Sequence, residues 1–486
     1  MADLRRSLVI NFFSSSGATI LQFIVSLVLA RMLSPSEIGV YSMTIVFVNL
    51  AHVFRDFGVT NYIQREKELT PDKIRSATGV VFTTSWLIAT TMFLASEWLG
   101  RWFKEPGIVP VMHVLAIGFF IIPFGSITQS LLVREFAAEK QAYVNAIGTI
   151  SYCVTCLVLA NQGFGSLSLA YANLANIIVC SLAYLPLRPK GLPLMPSFKH
   201  WRNVAHFGLG SLLSTLLSTI NNAVPDILLG KIGSARLVGL LSRSNSTALI
   251  FTYVAGSTVS YGAVSYLAQS FHRGESLAPA LSRASVLLTG VGWTALALTA
   301  VLARDIVGTL YGPDWLECVP AIPPLAMSAA VGMLFHYVPM GVTAIGRPYL
   351  STTPVLITLL SRISFGVLLF DGSLARFAWA LCLATIAAAP VTVLQQQRHL
   401  GLPISVLLRA VAPSAVVAIG TAIPAYLLAA LLPTALAPIL RLLIMAPLLA
   451  TVWYFLLRAM NHELVGEIHR LAMPVRARLL RLRSNI

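Results

Sequence analysis

A carboxylate and two amides interrupt a hydrophobic stretch near the middle of the chain. Asp226 follows Asn221 and Asn222 in the run STINNAVPDILLGKIG, and Arg243 lies beyond a turn predicted near Ser234. At 1.5 Å per helical residue, Asp226 and Arg243 would each lie about 12 Å from that turn, at one depth on adjacent antiparallel helices. Two roles remain open: a structural ion pair, or a carboxylate that takes up H⁺ or Na⁺ and releases Arg243.

Two further arginines inside apolar segments could bind an anion. Arg362 has no acidic residue near its depth, so we expect it either to face a polar cavity or to be satisfied by backbone carbonyl groups. A guanidinium group binds phosphate oxygens through paired N–H donors. Arg55 and Asp56 are consecutive and point to different faces of one helix, so one of them is expected to line a vestibule. His336, near the centre of its segment, is a candidate proton carrier or a packing residue.

The elements that position these residues follow from the composition. Of the 486 residues, 57% are hydrophobic and 11% are charged, whereas soluble domains carry about 25% charged residues. Apolar segments long enough to cross a bilayer recur from end to end, and they are too long for the strands of a membrane barrel. Helices satisfy all their backbone groups internally. We therefore predict an all-α integral membrane protein of about fourteen transmembrane helices, the first retained rather than cleaved.

The net charge of +16 is distributed unevenly along the chain. If the N-terminus is placed on the cytoplasmic side, lysine and arginine concentrate in the short cytoplasmic loops, as the positive-inside rule requires. The charge therefore predicts membrane topology with both termini cytoplasmic, and not a nucleic-acid partner. The basic, amphipathic C-terminal tail is expected to lie along the cytoplasmic lipid surface, with partner binding as the alternative.

Residues with the spacing of a catalytic or metal centre do not occur together in the sequence. Cys153 and Cys156 form a CxxC pair inside an apolar segment, with no second pair and no histidine partner. They are interpreted as small buried apolar side chains. The sequence also holds no phosphate-binding P-loop and no nucleophile with an adjacent base. We predict a protein that is not an enzyme and has no cofactor.

The chain repeats itself at an offset of two hundred residues. LARMLSPSEIGVYS at 29–42 aligns without a gap with LGKIGSARLVGLLS at 229–242, so that Gly39 matches Gly239. Six predicted helices separate the two copies, which therefore have the same orientation, as in transporters built from parallel repeats. Such a duplication suits alternating access. The predicted domains are an N-terminal lobe (1–187), a cytoplasmic linker (188–205), a C-terminal lobe (206–397), two further helices (398–460) and the basic tail (461–486).

Three stretches carry a resemblance to a known family: the first hairpin at 29–42, FRDFGVTNYIQRE at 54–66, and PDILLGKIGSARLVGLLSRS at 225–244. They resemble the polysaccharide transport branch of the MOP flippase superfamily, which includes the Wzx-type exporters of O-antigen and exopolysaccharide repeat units. The resemblance implies a bacterial inner-membrane protein. It would move undecaprenyl-pyrophosphate-linked oligosaccharide from the cytoplasmic to the periplasmic leaflet for cell-surface polysaccharide biosynthesis.

The resemblance assigns roles to the polar residues. Arg362, Arg55, Asn221 and Asn222 become candidates for substrate binding, and Asp226, Arg243 and His336 become candidates for ion pairing or coupling to H⁺ or Na⁺. The implied partners are the lipid-linked oligosaccharide, the bilayer and the polysaccharide polymerase or export machinery. Contacts to sugar hydroxyl groups could come from six amides inside the segments: Gln22, Asn49, Asn61, Gln129, Asn145 and Asn173.

Two alternatives remain beside the flippase. A cation-coupled multidrug antiporter of the same superfamily would be expected to line its pocket with acids, whereas this chain has more arginines than acids within its segments. A membrane-embedded polysaccharide polymerase or glycosyltransferase would be expected to have a large external loop or an acidic pair for acceptor and metal.

Overall fold

The computed structural model describes residues 2–56, 58–66, 68–189, 197, 201–250, 263–433 and 435–470. All regular structure in these ranges is helical, which confirms the predicted all-α class. The chain divides into two compact units, a first unit of residues 1–239 and a second unit of residues 240–486. The predicted linker and basic tail lie mostly outside the described residues, and the predicted lobe boundaries stay predictions.

The first unit contains α1 to α9 and the start of α10, counted over its described residues. Their bounds are α1 Ala2–Met32, α2 Pro35–Asp56, α3 Val59–Arg65, α4 Pro71–Phe103, α5 Ile108–Ile121, α6 Pro123–Arg134, α7 Ala138–Asn161, α8 Ser166–Tyr184, α9 Trp201–Ile232 and α10 Ala235–Ala248.

The second unit begins within α10. Its described α-helices are α11 Ala263–His272, α12 Ala278–Val301, α13 Ala303–Leu310, α14 Ile322–Leu334, α15 Val338–Ala344, α16 Thr352–Leu369, α17 Leu374–Leu400, α18 Ile404–Leu431 and α19 Pro438–Ala459. Two 3₁₀ helices, Pro313–Ala321 and Pro348–Ser351, lead into α14 and α16.

Local signals in the sequence explain where the repeated hairpins turn. At the start of α2, the Ser34 backbone N–H donates to Glu37 Oε2 at 2.8 Å, and the Glu37 N–H donates to Ser34 Oγ at 3.3 Å. This is a capping box, which satisfies otherwise unpaired donors at a helix start. At the start of α10 the Leu237 N–H donates to Ser234 Oγ at 3.3 Å. The matched serines of the two repeats therefore perform the same capping role.

The membrane-spanning helices can be counted only over the described residues. Ten helical segments there are long and apolar enough to cross a membrane, and the number is eleven if the pair α5 and α6, bent by 58°, forms one span. Pro123 begins α6, and because proline lacks an N–H donor and crowds the preceding turn, it accounts for the bend. The prediction of a multi-pass helical membrane protein is confirmed. The predicted number of fourteen spans is not confirmed.

Candidate functional site

A cavity of about 380 Å³ opens in the first unit, where the ends of α2 and α6 meet α3 and α9. Charged, amide and hydroxyl side chains occur among the residues that line it. The lining residues are His52, Val53, Arg55, Asp56, Gly58, Thr60, Gln129, Ser130, Val133 and Thr215.

The end of α2 explains how two consecutive charged residues share this cavity. In one continuous helix Arg55 and Asp56 would point to different faces, and we expected one of them to line a vestibule. Instead α2 ends at Asp56, and Gly58 has φ 70°, in the left-handed region that favours glycine. The chain turns there before α3 begins at Val59. Both charged side chains therefore line the cavity.

A short chain of hydroxyl hydrogen bonds ends at the Asp56 carboxylate. The Thr60 hydroxyl donates to Asp56 Oδ1 at 2.8 Å. The single proton of the Ser130 hydroxyl is shared between two acceptors, Thr60 Oγ1 at 3.3 Å and the Ser126 carbonyl at 3.0 Å. These bonds join α2, α3 and α6 across the cavity wall. The carboxylate therefore accepts one hydrogen bond, from the Thr60 hydroxyl.

Arg55 presents a guanidinium group to the same space. It is only partly exposed, and its buried Nε atom has no hydrogen-bond partner among the described residues. The Thr84 hydroxyl lies within hydrogen-bond distance of the Arg55 carbonyl, at 3.2 Å, and of the Val80 carbonyl in its own helix, at 2.9 Å. A guanidinium group at the wall of a cavity can bind the oxygens of an anionic ligand through paired N–H donors.

His52 lies one helical turn before Arg55 and lines the cavity with it. Its ring packs on Phe119 of α5, with ring centroids 4.6 Å apart. The imidazole is therefore held by packing at the edge of the cavity.

Apolar packing holds the helices around the cavity in place. Buried residues of α3, α4 and α6, including Ile63, Ile74 and Ile127, form one hydrophobic cluster. Arg134, in the last turn of α6, donates from Nη1 to the carbonyls of Ile63 at 2.5 Å and Glu66 at 2.6 Å. The C-terminal carbonyls of α3 are thus satisfied by a side chain of α6.

The other predicted residues of the first unit lie on α9. Asn221 and Asp226 are half-buried, and Asn222 is exposed. The helix continues through Pro225. Within the described part of this unit, no hydrogen bond or ion pair reaches the Asp226 carboxylate. These three residues do not line the cavity around Arg55.

The remaining predicted residues belong to the second unit. Arg243 of α10 lies over two aromatic rings, with its guanidinium carbon 5.4 Å from the centroid of Tyr311 and 5.6 Å from that of Trp315. His336 follows α14 and contacts the Tyr337 ring edge to face, at 5.1 Å. Arg362 is half-buried on α16. None of these three lines the cavity around Arg55. Because Asp226 and Arg243 belong to different units, their pairing stays a prediction.

Sequence reasoning found part of the cavity and missed part of it. Arg55 was a predicted binding residue, and Gln129 was among the six candidate amides. Of those six, Asn61 has a side chain outside the described residues. The hydroxyl groups of Thr60, Ser130 and Thr215 were not predicted, because threonine and serine occur throughout the helices and usually bond to their own backbone. The part of the chain that the structure describes contains no cluster of three His, Cys, Asp or Glu residues that could hold a metal ion.

The fold and the polar cavity define a class of protein: a multi-pass helical membrane protein built like a transporter. Residues 28–320 match the model of the family described as "Polysaccharide biosynthesis protein", so the chain belongs to that family. The resemblance to the polysaccharide transport branch of the MOP superfamily is thereby confirmed.

Named relatives and a solved structure agree with this assignment. The chain is 22% identical over 320 residues to "Lipopolysaccharide biosynthesis protein WzxC" of Escherichia coli (strain K12), covering 63% of this chain and 62% of the relative. It is 23% identical over 328 residues to "Succinoglycan biosynthesis transport protein ExoT" of Rhizobium meliloti (strain 1021), covering 66% and 65%. Both alignments span slightly less than two thirds of the relative's length. The fold is similar to that of "Lipid II flippase MurJ, inward closed conformation", with a TM-score of 0.75 and 13% identity over 93% of this chain and 100% of that one.

Proposed function

We propose that this protein is a flippase for undecaprenyl-pyrophosphate-linked oligosaccharide repeat units. It moves them from the cytoplasmic to the periplasmic leaflet of a bacterial inner membrane by alternating access, for the biosynthesis of cell-surface polysaccharide. Its termini are cytoplasmic, and it catalyses no covalent reaction. The observation that carries this proposal is the cavity of the first unit, in which Arg55 lines the wall together with the polar residues Gln129, Ser130 and Thr215.

The chemistry of this cavity suits a pyrophosphate joined to a sugar. Arg55 supplies a planar set of N–H donors, which binds phosphate oxygens in pairs. Gln129, Ser130 and Thr215 supply polar groups of the kind that hydrogen-bond sugar hydroxyls. A volume of about 380 Å³ lies within the usual range of small-ligand pockets. The family and the named relatives, all concerned with polysaccharide, support a glycan cargo.

The proposed topology gives the cavity its place in the cycle. With the N-terminus in the cytoplasm, α2 returns towards the cytoplasm and ends there at Asp56. The cavity then opens near the leaflet in which the lipid-linked precursor is proposed to arrive. Arg362, Asn221 and Asn222 are proposed to contact the substrate after it has entered. Asp226, with Arg243 and His336, is proposed to couple transport to H⁺ or Na⁺, and delivery to a polymerase follows.

Arg55→Ala in proteoliposomes tests this proposal. The measurement is the transfer of an undecaprenyl-pyrophosphate-linked oligosaccharide across the bilayer. A hydrogen bond to a charged group is worth about 1.5–3 kcal/mol, so we expect flipping to fall by roughly tenfold to a hundredfold. Arg55→Lys should restore only part of the rate, because an ammonium group lacks the paired donors. Arg398→Ala, which removes an exposed arginine in the last turn of α17, is the matched control.

Two results would contradict the proposal. A folded Arg55→Ala protein that flips the lipid at the wild-type rate would remove the cavity from the transport path. Wild-type protein that moves no lipid but exports organic cations would replace the flippase with the antiporter alternative.

A further inference from the structure

The wall of the cavity contains a feature that a pyrophosphate site alone does not explain. Asp56 adds a carboxylate to the wall of the cavity that Arg55 also lines. Like charges placed together at a binding interface cost several kcal/mol, so an acid weakens the binding of a purely anionic ligand. The carboxylate therefore has a different role from the arginine.

The hydrogen bonds around Asp56 indicate that role. The Ser130 hydroxyl donates to Thr60, and the Thr60 hydroxyl donates to Asp56 Oδ1. An ionised carboxylate has about four acceptor sites, and the Thr60 hydroxyl occupies one of them. The remaining sites can accept hydrogen bonds only from groups that carry a proton, such as the hydroxyls of a sugar. Thr60 and Ser130 fix the direction in which the carboxylate faces.

Sequence adjacency then sets the order of the ligand's parts. Arg55 and Asp56 are neighbours at the end of α2 and line one cavity. The ligand group that contacts Asp56 must therefore be next to the group that contacts Arg55. If Arg55 binds the pyrophosphate, Asp56 faces the first sugar attached to it.

We propose that Asp56, positioned by Thr60 and Ser130, determines which sugar is accepted next to the pyrophosphate. It accepts hydrogen bonds from a neutral sugar and repels a sugar that carries a carboxylate. This inference rests on the proposed function, because it requires the pyrophosphate to lie at Arg55. It assigns to the cavity a preference for neutral over acidic first sugars.

The test measures binding and flipping with two probes that differ at one carbon. Farnesyl diphosphate esters of galactose and of galacturonate are titrated against the purified full-length protein in detergent, and the undecaprenyl forms are used for flipping. We expect the wild type to bind the galactose probe at least about tenfold more tightly than the galacturonate probe. Asp56→Asn should reduce this ratio by about tenfold, because the amide keeps the shape and loses the charge. Glu135→Gln, a charge change on an exposed residue just beyond α6, should keep the wild-type ratio.

A second variant covers the case in which Asp56→Asn does not fold. Thr60→Ala removes the hydroxyl that orients the carboxylate, and we expect it to reduce the ratio as well. Equal binding of both probes by the wild type would overturn the inference. So would an unchanged ratio in a folded Asp56→Asn protein.

The results separate this inference from the proposed function. Flipping of both undecaprenyl lipids at equal rates supports the flippase and overturns the selection by Asp56. A binding ratio that depends on Asp56, in a protein that flips neither lipid, supports the selection and overturns the flippase.

Discussion

Gly39 of α2 and Gly239 of α10 face each other in the first unit with reciprocal geometry. A Cβ atom at Gly39 would overlap the carbonyl oxygen of Ala235 and lie 3.0 Å from the Gly239 nitrogen. A Cβ atom at Gly239 would overlap the carbonyl oxygen of Pro35 and lie 3.0 Å from the Gly39 nitrogen. Pro35 and Ala235 are separated by the same two hundred positions as the glycines. The sequence repeat is therefore also a symmetric backbone contact, of the kind that small residues allow between membrane helices.

Replacing either glycine with alanine should destabilise the protein. The added methyl group meets backbone atoms, which cannot rotate away, so we expect Gly39→Ala and Gly239→Ala each to cost about 1–3 kcal/mol. Thermal unfolding in detergent measures the loss. Gly332→Ala is the control. Gly332 lies inside α14, and a Cβ atom added there would have no heavy atom within 4 Å. It should be neutral or slightly stabilising, since alanine is the better helix former. A Gly39→Ala protein as stable as wild type would show that the helices separate without cost.

Asp305 and Arg441 form a buried ion pair in the second unit, and breaking it should destabilise that unit. Arg441 Nη1 lies 3.0 Å from Asp305 Oδ1, with side-chain exposures of 10% and 7%. The Arg441 Nη2 atom also donates to the Ala429 carbonyl at 2.5 Å, so the pair joins α13, α18 and α19. Removing one partner leaves an uncompensated charge, so Asp305→Asn is expected to cost about 3–5 kcal/mol.

An exposed ion pair provides the comparison for this measurement. Arg376 Nη1 lies 3.0 Å from Asp371 Oδ2, with exposures of 66% and 40%. Exposed pairs contribute about 0–1 kcal/mol, so Asp371→Asn should shift the unfolding temperature little. Equal shifts for Asp305→Asn and Asp371→Asn would mean that water reaches the buried pair.

Much of the fold could be predicted from the sequence, because composition and segment length determine whether a segment can cross a bilayer as a helix. The bend between α5 and α6 was not predicted. Pro123 marks the position, but proline within a membrane helix is compatible with both a straight and a bent span. The structure shows two helices, α5 and α6, that meet at 58°.

The candidate site could be predicted only in part. Arg55 was predicted because an arginine inside an apolar segment is costly and usually marks a functional site. Its relationship to Asp56 was misjudged, because the helix was expected to continue where α2 ends. The hydrogen bond between Thr60 and Ser130 joins residues 70 positions apart, and no local pattern in one sequence reveals such a contact.

His462 should make the stability of the second unit depend on pH. It follows α19, and it is 4% exposed. Its Nδ1 atom accepts the Leu464 N–H at 3.1 Å, so its Nε2–H donates to Ser414 Oγ at 2.9 Å in the neutral ring. Burial lowers the pKa of His462 from its ordinary value of 6.5, and the neighbouring Glu463 acts in the opposite direction.

The sign of this pH dependence follows from the lowered pKa. The unfolded chain binds a proton at His462 more readily than the folded chain does. The stabilisation is therefore present above about pH 6.5 and is lost as the pH falls through the folded pKa. We expect the unfolding temperature of the wild type to fall between pH 7.5 and pH 5, and the slope to be smaller in His462→Gln. His469→Gln, at an exposed histidine, should keep the wild-type slope. Equal slopes for all three proteins would assign the acid sensitivity to other groups.

Asp226 should connect transport to an ion gradient. It is a half-buried carboxylate on α9, and within the described part of the first unit nothing forms a hydrogen bond or ion pair with it. A carboxylate in a membrane helix is costly unless it is paired or exchanges a cation. We expect an imposed proton or sodium gradient to accelerate flipping by the wild type and to have no effect on Asp226→Asn. The measurement is the rate of lipid transfer in proteoliposomes with each gradient applied separately.

The control for this measurement is Asp314→Asn, at an exposed residue of the first 3₁₀ helix, which should respond as the wild type does. If Asp226→Asn folds and still responds to the gradient, the carboxylate is structural, and the predicted pairing with Arg243 becomes its remaining explanation.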